Sequence, residues 1–159
     1  MVCKERKGGG LAIGVHKDVY SVALNEGDDN VECFSVEISI KDINIRLCNA
    51  YGPQEADSIE RKQNFWEFLD REVDAAEENN SGFLLQFDGN LWAGEEIIEG
   101  DVRKQNYHGR LFQEFLKRHS HLTVVNSLPL CEGKITRVEF MKINQKSQQL
   151  TFSWCVTGC

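Results

Sequence analysis

Apolar and polar residues alternate most regularly between positions 31 and 47. In VECFSVEISI, residues 31–40, Phe34, Val36, Ile38 and Ile40 fall on one side of an extended chain, and Glu32 departs from that side at the start. Lys41 and Asp42 close a tight turn, and Ile43, Ile45 and Leu47 alternate again, so the two runs predict a hairpin. The second run continues into NAYGP, residues 49–53, where Gly52 and Pro53 force an exit. The period then changes to that of a helix. Asp57 with Glu60 outlines a capping box, and Ile59, Phe65, Trp66, Leu69 and Val73 form an apolar stripe. Asp70, Glu72, Asp74, Glu77 and Glu78 read as a solvated acidic face, and residues 79–82 end the helix.

FLLQF, residues 83–87, predicts a buried strand, and residues 92–109 lack a period and predict a long loop. Arg110 to Lys117 returns to helix, burying Leu111, Phe112, Phe115 and Leu116, and LTVVN, residues 122–126, is another strand. Before the hairpin, LAIGVH, residues 11–16, is a short strand and GDDN, residues 27–30, a turn. Gly8 to Gly10 would cradle a phosphate only if a helix followed, and a strand follows instead. LPLCEG, residues 128–133, is a turn, ITRVEFMKI, residues 135–143, is ambiguous, and SWCVTGC, residues 153–159, has no assignment.

Strands, helix, strand, helix, strand is the order of a layered α/β sandwich, read as a single domain over residues 1–159. A chain of 159 residues with 41% hydrophobic content can bury one ordinary core. Lys and Arg number 18 against 25 Asp and Glu, a net charge of -7, which excludes a general nucleic-acid glove but leaves room for a local basic patch. Six cysteines at 3, 33, 48, 131, 155 and 159 include no C-x-x-C pair, so zinc is weakly supported, and buried free thiols are expected at Cys33 and Cys48. No signal segment or membrane-length apolar run is present, and the expectation is an intracellular protein, in nucleus or cytoplasm.

Functional groups of α/β proteins gather on loops at strand ends. Three predicted strand ends carry polar groups: Asn49 and Tyr51, Asp88 and Asn90, and Asn126 with Ser127. Asp88-Gly89-Asn90 also reads as a plain tight turn. Chemically, Asp88 can act as a general base on water or as an oxygen ligand to Mg2+. Asn90 offers an amide donor to a phosphate oxygen, and the Tyr51 phenol can stabilise developing charge. Asn49 and Asn126 would bind phosphate or support the site, or satisfy loop backbone.

At these residues the sequence resembles the endonuclease/exonuclease/phosphatase superfamily, especially its non-LTR retrotransposon endonuclease branch. NAYGP, residues 49–53, matches a strand ending in Tyr followed closely by Pro. FDGN, residues 87–90, matches Gly-Asp-Phe-Asn, with Asp88 and Asn90 keeping their spacing. Asn106 to Gly109 matches an Asn-x-x-Gly helix start, and LTVVNS matches a strand ending at Asn126. The resemblance spans residues 7–137 and leaves a divergent tail, 138–159. It implies an incomplete four-layered α/β sandwich and Mg2+-dependent phosphodiester hydrolysis, with DNA as the nicked partner. It also implies roles: Asp88 helps activate water, Asn90 orients the phosphate, and Tyr51 sits by the scissile group.

The departures from that pattern bear on activity. The family's metal-holding Glu precedes the glycine-rich stretch, and Glu5 is a poor substitute for it. No aspartate follows Asp101 and no histidine follows His121, so the family's late Asp-His pair has no counterpart. In LTFSW, residues 150–154, Thr151 stands where an acid might, or Ser153 matches a hydroxyl of another branch. The expectation is a domain truncated at both ends, with weak or absent catalysis. A non-catalytic α/β module and a phosphatase on a small phosphorylated substrate are the alternatives.

Overall fold

The hairpin expected from the alternation is the centre of a sheet. The computed structural model describes residues 2–6, 9–27, 31–98, 101–127 and 138–141. Strands β4 (Glu32–Ile40) and β5 (Ile43–Tyr51) pair antiparallel, with Ile40 opposite Ile43 across the Lys41-Asp42 turn. Helix α1 (Ile59–Glu78) then crosses over, and β6 (Gly82–Asp88) returns parallel to β5. Helix α2 (Tyr107–Arg118) and the short β7 (Thr123–Val124) follow. β8 (Val138–Met141) inserts between β6 and β7, giving the order β3-β4-β5-β6-β8-β7, where β3 is Tyr20–Glu26. A separate antiparallel ribbon, β1 (Val2–Arg6) with β2 (Gly9–Ile13), completes the described elements.

Paired residues in neighbouring strands share a face, and the two faces of this sheet are covered differently. One carries Cys33, Cys48, Ala50, Phe83, Leu85 and Phe87, packed under Phe65, Trp66, Leu69 and Val73 of α1 and Phe112 and Phe115 of α2. The other carries Phe34 and Val36, which Ile13 of the ribbon covers. Ribbon, sheet and helices therefore make three layers of a mixed α/β fold. Cys33 and Cys48 are buried free thiols, as expected. Burial raises the Cys48 thiol pKa, and the neighbouring Cys33 and Glu72 add to it.

Several boundaries differ from expectation. The strand expected over residues 11–16 occupies 9–13, and neither β1 nor β3 was foreseen, although Tyr20, Val22 and Leu24 alternate along YSVALNE. α1 is capped by Ser58, whose hydroxyl accepts from the Arg61 N–H at 3.1 Å, and not by Asp57. Asp57 instead accepts from the Gln54 N–H at 2.6 Å and pairs with Arg61 at 2.9 Å. Ile59 is 60% exposed. Glu72 is buried, contrary to the solvated reading: it lies three residues beyond Leu69 and seven beyond Phe65, inside the apolar stripe. There it meets Arg46 at 3.3 Å and the Asn25 amide at 2.5 Å. α2 begins at Tyr107, earlier than expected. The LTVVN strand is two residues long and gives way to a 3-10 turn, Val125–Ser127. The ambiguous ITRVEFMKI contains β8. The expected 128–133 turn, the 27–30 turn beyond Gly27 and the tail beyond 141 lie outside the described residues. No described helix is long and apolar enough to cross a membrane.

Candidate active site

Parallel pairing brings the ends of β5 and β6 to one edge in register. Tyr51 is the partner of Asp88, and Asn49 of Gln86. Cys48, Ala50, Leu85 and Phe87 take the helix face, so Asn49, Tyr51 and Asp88 share the ribbon face. Asp88 is exposed, while Tyr51 and Asn49 are half-buried.

The two strand ends are stitched together beyond the last pair. The Gly52 N–H donates to the Asp88 carbonyl at 2.7 Å. A Cβ on Gly52 would stand 2.6 Å from the Gly89 carbonyl oxygen, so only glycine permits this approach. Asn90 takes a left-handed φ of 44°, a region asparagine tolerates through local hydrogen bonds. Its Nδ2 donates to the Gly52 carbonyl at 2.8 Å, and its backbone N–H donates to Asp88 Oδ1 at 3.3 Å. One Nδ2 hydrogen and Oδ1 of Asn90 are left over from that bond. Tyr51, Asp88 and Asn90 thus converge on one mouth.

The other two candidates sit further off. Asn49 Nδ2 donates to the Ala12 carbonyl at 3.0 Å and ties the ribbon to the sheet below the mouth. Asn126 lies in the 3-10 turn after β7, which runs parallel to β6 but two places away. It is at the same end of the sheet, separated from the other candidates by β8.

Several neighbours of this site were not among the candidate site residues. Glu32 is opposite Tyr51 and reaches Arg61 at 3.6 Å; its break in the alternation was the visible hint. Behind the mouth, Asn106 caps α2 by accepting from the Gly109 N–H at 2.8 Å and also accepts from the Trp92 N–H at 3.3 Å. A Cβ at Gly109 would collide with the Trp92 carbonyl, so the helix start and the loop after Asn90 are in direct contact. His108 follows on the first turn, 1% exposed, with its ring 5.9 Å from Phe65 and 5.5 Å from Trp66. Neither ring nitrogen, nor Trp66 Nε1, has a hydrogen-bond partner, and such an atom costs about 1–3 kcal/mol. Burial pushes the His108 pKa down to about 4, with help from the Lys62 ammonium. The Asn90 backbone acts the other way, without reaching hydrogen-bond geometry. Lys62 is buried too, and its ammonium donates to the Glu55 and Asp57 carbonyls at 2.7 Å each.

Next to the mouth, the 91–106 loop and α2 enclose a groove of about 490 Å³. Arg103, Lys104 and Arg110 line it, balanced by Glu95, Glu96 and Asp101. Asp101 grips Arg103 at 2.8 Å, and this bond lowers the Asp101 pKa. The groove is therefore not the basic patch the sequence left room for.

The donor set was also compared with the needs of a cation. Among the described residues, no group of three or more His, Cys, Asp or Glu side chains is placed to hold a metal ion. Asp88 alone is an incomplete set for Mg2+, which takes one or two carboxylates with further oxygen ligands. The residues described do not fit the metal the resemblance implies.

No family model matches the chain, and no curated protein matches it in sequence. Among solved structures it is similar to the endonuclease domain of TRAS1, a telomere-specific non-LTR retrotransposon, with a TM-score of 0.50 and 16% identity over 80% of this chain. The fold is of the endonuclease/exonuclease/phosphatase type. The chain spans 57% of the length of the TRAS1 domain. Within an endonuclease/exonuclease/phosphatase fold, the β5 and β6 ends are a strand-end mouth of the kind where α/β proteins place their chemistry.

Proposed function

We propose that the β5–β6 mouth is a phosphodiester-hydrolysis site of the endonuclease kind, acting on DNA. The observation that carries the reading is the register of Tyr51 with Asp88, closed by the Asn90 amide on the Gly52 carbonyl. Asp88 is the exposed carboxylate and takes a proton from the attacking water. The second Nδ2 hydrogen of Asn90 orients a phosphate oxygen, and the Tyr51 phenol hydrogen-bonds the charge that develops beside it. Asn49 supports the mouth through the ribbon, and the reading gives Asn126 no contact.

The incomplete carboxylate set favours a slow enzyme, and it also favours the alternative of a non-catalytic module. Nicking of supercoiled plasmid in Mg2+ separates the two. The wild type is expected to nick slowly, and Asp88→Ala to lose about 100-fold or more, the scale of a general base. Equal rates in both proteins would remove Asp88 from the mechanism, and no nicking above background in the wild type would leave the module reading.

A further inference from the structure

Trp92 is 42% exposed and lies two residues beyond Asn90. A single exposed apolar side chain is ordinary on a protein surface. Trp92 differs in how firmly its backbone is held. Its N–H donates to Asn106 Oδ1 at 3.3 Å. Its carbonyl oxygen lies so close to Gly109 that a Cβ there would stand 2.0 Å from it. The next carbonyl, of Ala93, accepts from Gln105 Nε2 at 3.0 Å. A segment pinned at three neighbouring backbone groups still leaves its indole in water. Two peptide steps span at most about 7 Å, so Trp92 joins the mouth at Asn90 to the groove whose lining begins at Ala93. That groove has two cations to spare. Asp101 holds Arg103 through both carboxylate oxygens, while Lys104 and Arg110 form no ion pair with a described residue. Arg110 instead lies over the Tyr107 ring, 5.5 Å from its centroid.

We infer that Trp92 stacks on an unpaired nucleobase beside the phosphate held at the mouth, with neighbouring phosphates of the same strand on Lys104 and Arg110. The substrate strand is therefore single-stranded where it meets the protein. Its use in hydrolysis rests on the function proposed above for the mouth; the stacking contact does not. Duplex DNA keeps its base faces inside the stack, and proteins that bind it draw affinity largely from neutralising phosphates. A chain of net charge -7, with acids balancing the groove's cations, supplies little of that. One indole and two unpaired cations suit a single strand instead. Every base offers a face to an aromatic ring, so the contact tolerates any sequence. The fixed backbone keeps the indole in place before the strand arrives, which lowers the ordering cost of binding.

The test measures binding without Mg2+, so that cleavage plays no part. The probes are a labelled single-stranded oligothymidylate with phosphorothioate linkages, a base-free strand with the same phosphates, and a duplex of the same length, each followed by fluorescence anisotropy. The wild type is expected to bind the base-bearing strand about tenfold more tightly than the base-free one, the scale of one base–aromatic stack. Trp92→Leu should lose that preference while binding the base-free strand as the wild type does, and Trp92→Phe should keep most of it. No preference for bases in the wild type, an unchanged preference in Trp92→Leu, or tighter binding of the duplex would overturn the inference. If Trp92→Leu does not fold, the wild-type indole signal of Trp92 decides by NMR. It should shift with the base-bearing strand and stay still with the base-free one, and the same response to both would overturn the inference. Stacking at Trp92 in a protein that does not nick would count against the hydrolase reading alone. Nicking that needs Asp88, with no base preference at Trp92, would count against this inference alone.

Discussion

The position of Asp88, Tyr51 and Asn90 at or just past strand ends was legible, because the apolar run of each strand is plain in the sequence, and parallel pairing sets Tyr51 beside Asp88. His108, Lys62 and Glu72 were not legible. Each is a polar residue inside an apolar surface, and sequence reading assigns such residues to solvent. Glu72 is the clearest case, since its position in the stripe was visible but its partners, Arg46 and Asn25, come from distant strands. Glu72→Ala leaves the Arg46 guanidinium buried and unpaired, and chemical denaturation should show a loss of about 3–5 kcal/mol. His108 sets a pH dependence. The folded protein keeps it neutral to about pH 4, while the unfolded chain takes up a proton near its ordinary value. The unfolded state therefore binds more protons in that window, and stability falls with pH from about 6.5 to about 4. The loss reaches about 3 kcal/mol in urea titrations and is absent from His108→Phe.

At the scale of elements, the hairpin, α1, β6 and α2 followed from period and composition, because each buries one well-marked face. β3 and β7 were missed or overextended. β3 is an edge strand whose Tyr20-Val22-Leu24 alternation was passed over, and Tyr20 and Val22 are exposed. β7 is two residues long, and its apolar run continues into a 3-10 turn instead. The start of α2 is where element and site meet, because Asn106 caps the helix and holds the Trp92 N–H with the same oxygen. Asn106→Ala is expected to cost about 1 kcal/mol of stability by thermal melting. It should also speed amide exchange at Trp92 more than in β5, whose hydrogen bonds do not involve the cap. Equal acceleration at both would show that the cap does not hold the loop.

For the whole molecule, ribbon, sheet and helices form three layers, and the candidate site opens on the ribbon side of the central parallel pair. The layering was readable from element order. The pairing of β8 between β6 and β7 was not, since a single chain does not reveal which strands become neighbours across long loops. The most direct measurement is the amide NMR spectrum during titration with a non-hydrolysable phosphorothioate-linked dinucleotide. The account predicts that the largest shifts fall on Tyr51, Gly52, Asp88, Gly89 and Asn90. Shifts centred on the groove around Arg103 and Lys104, or on the ribbon, with the β5–β6 mouth unmoved, would contradict it.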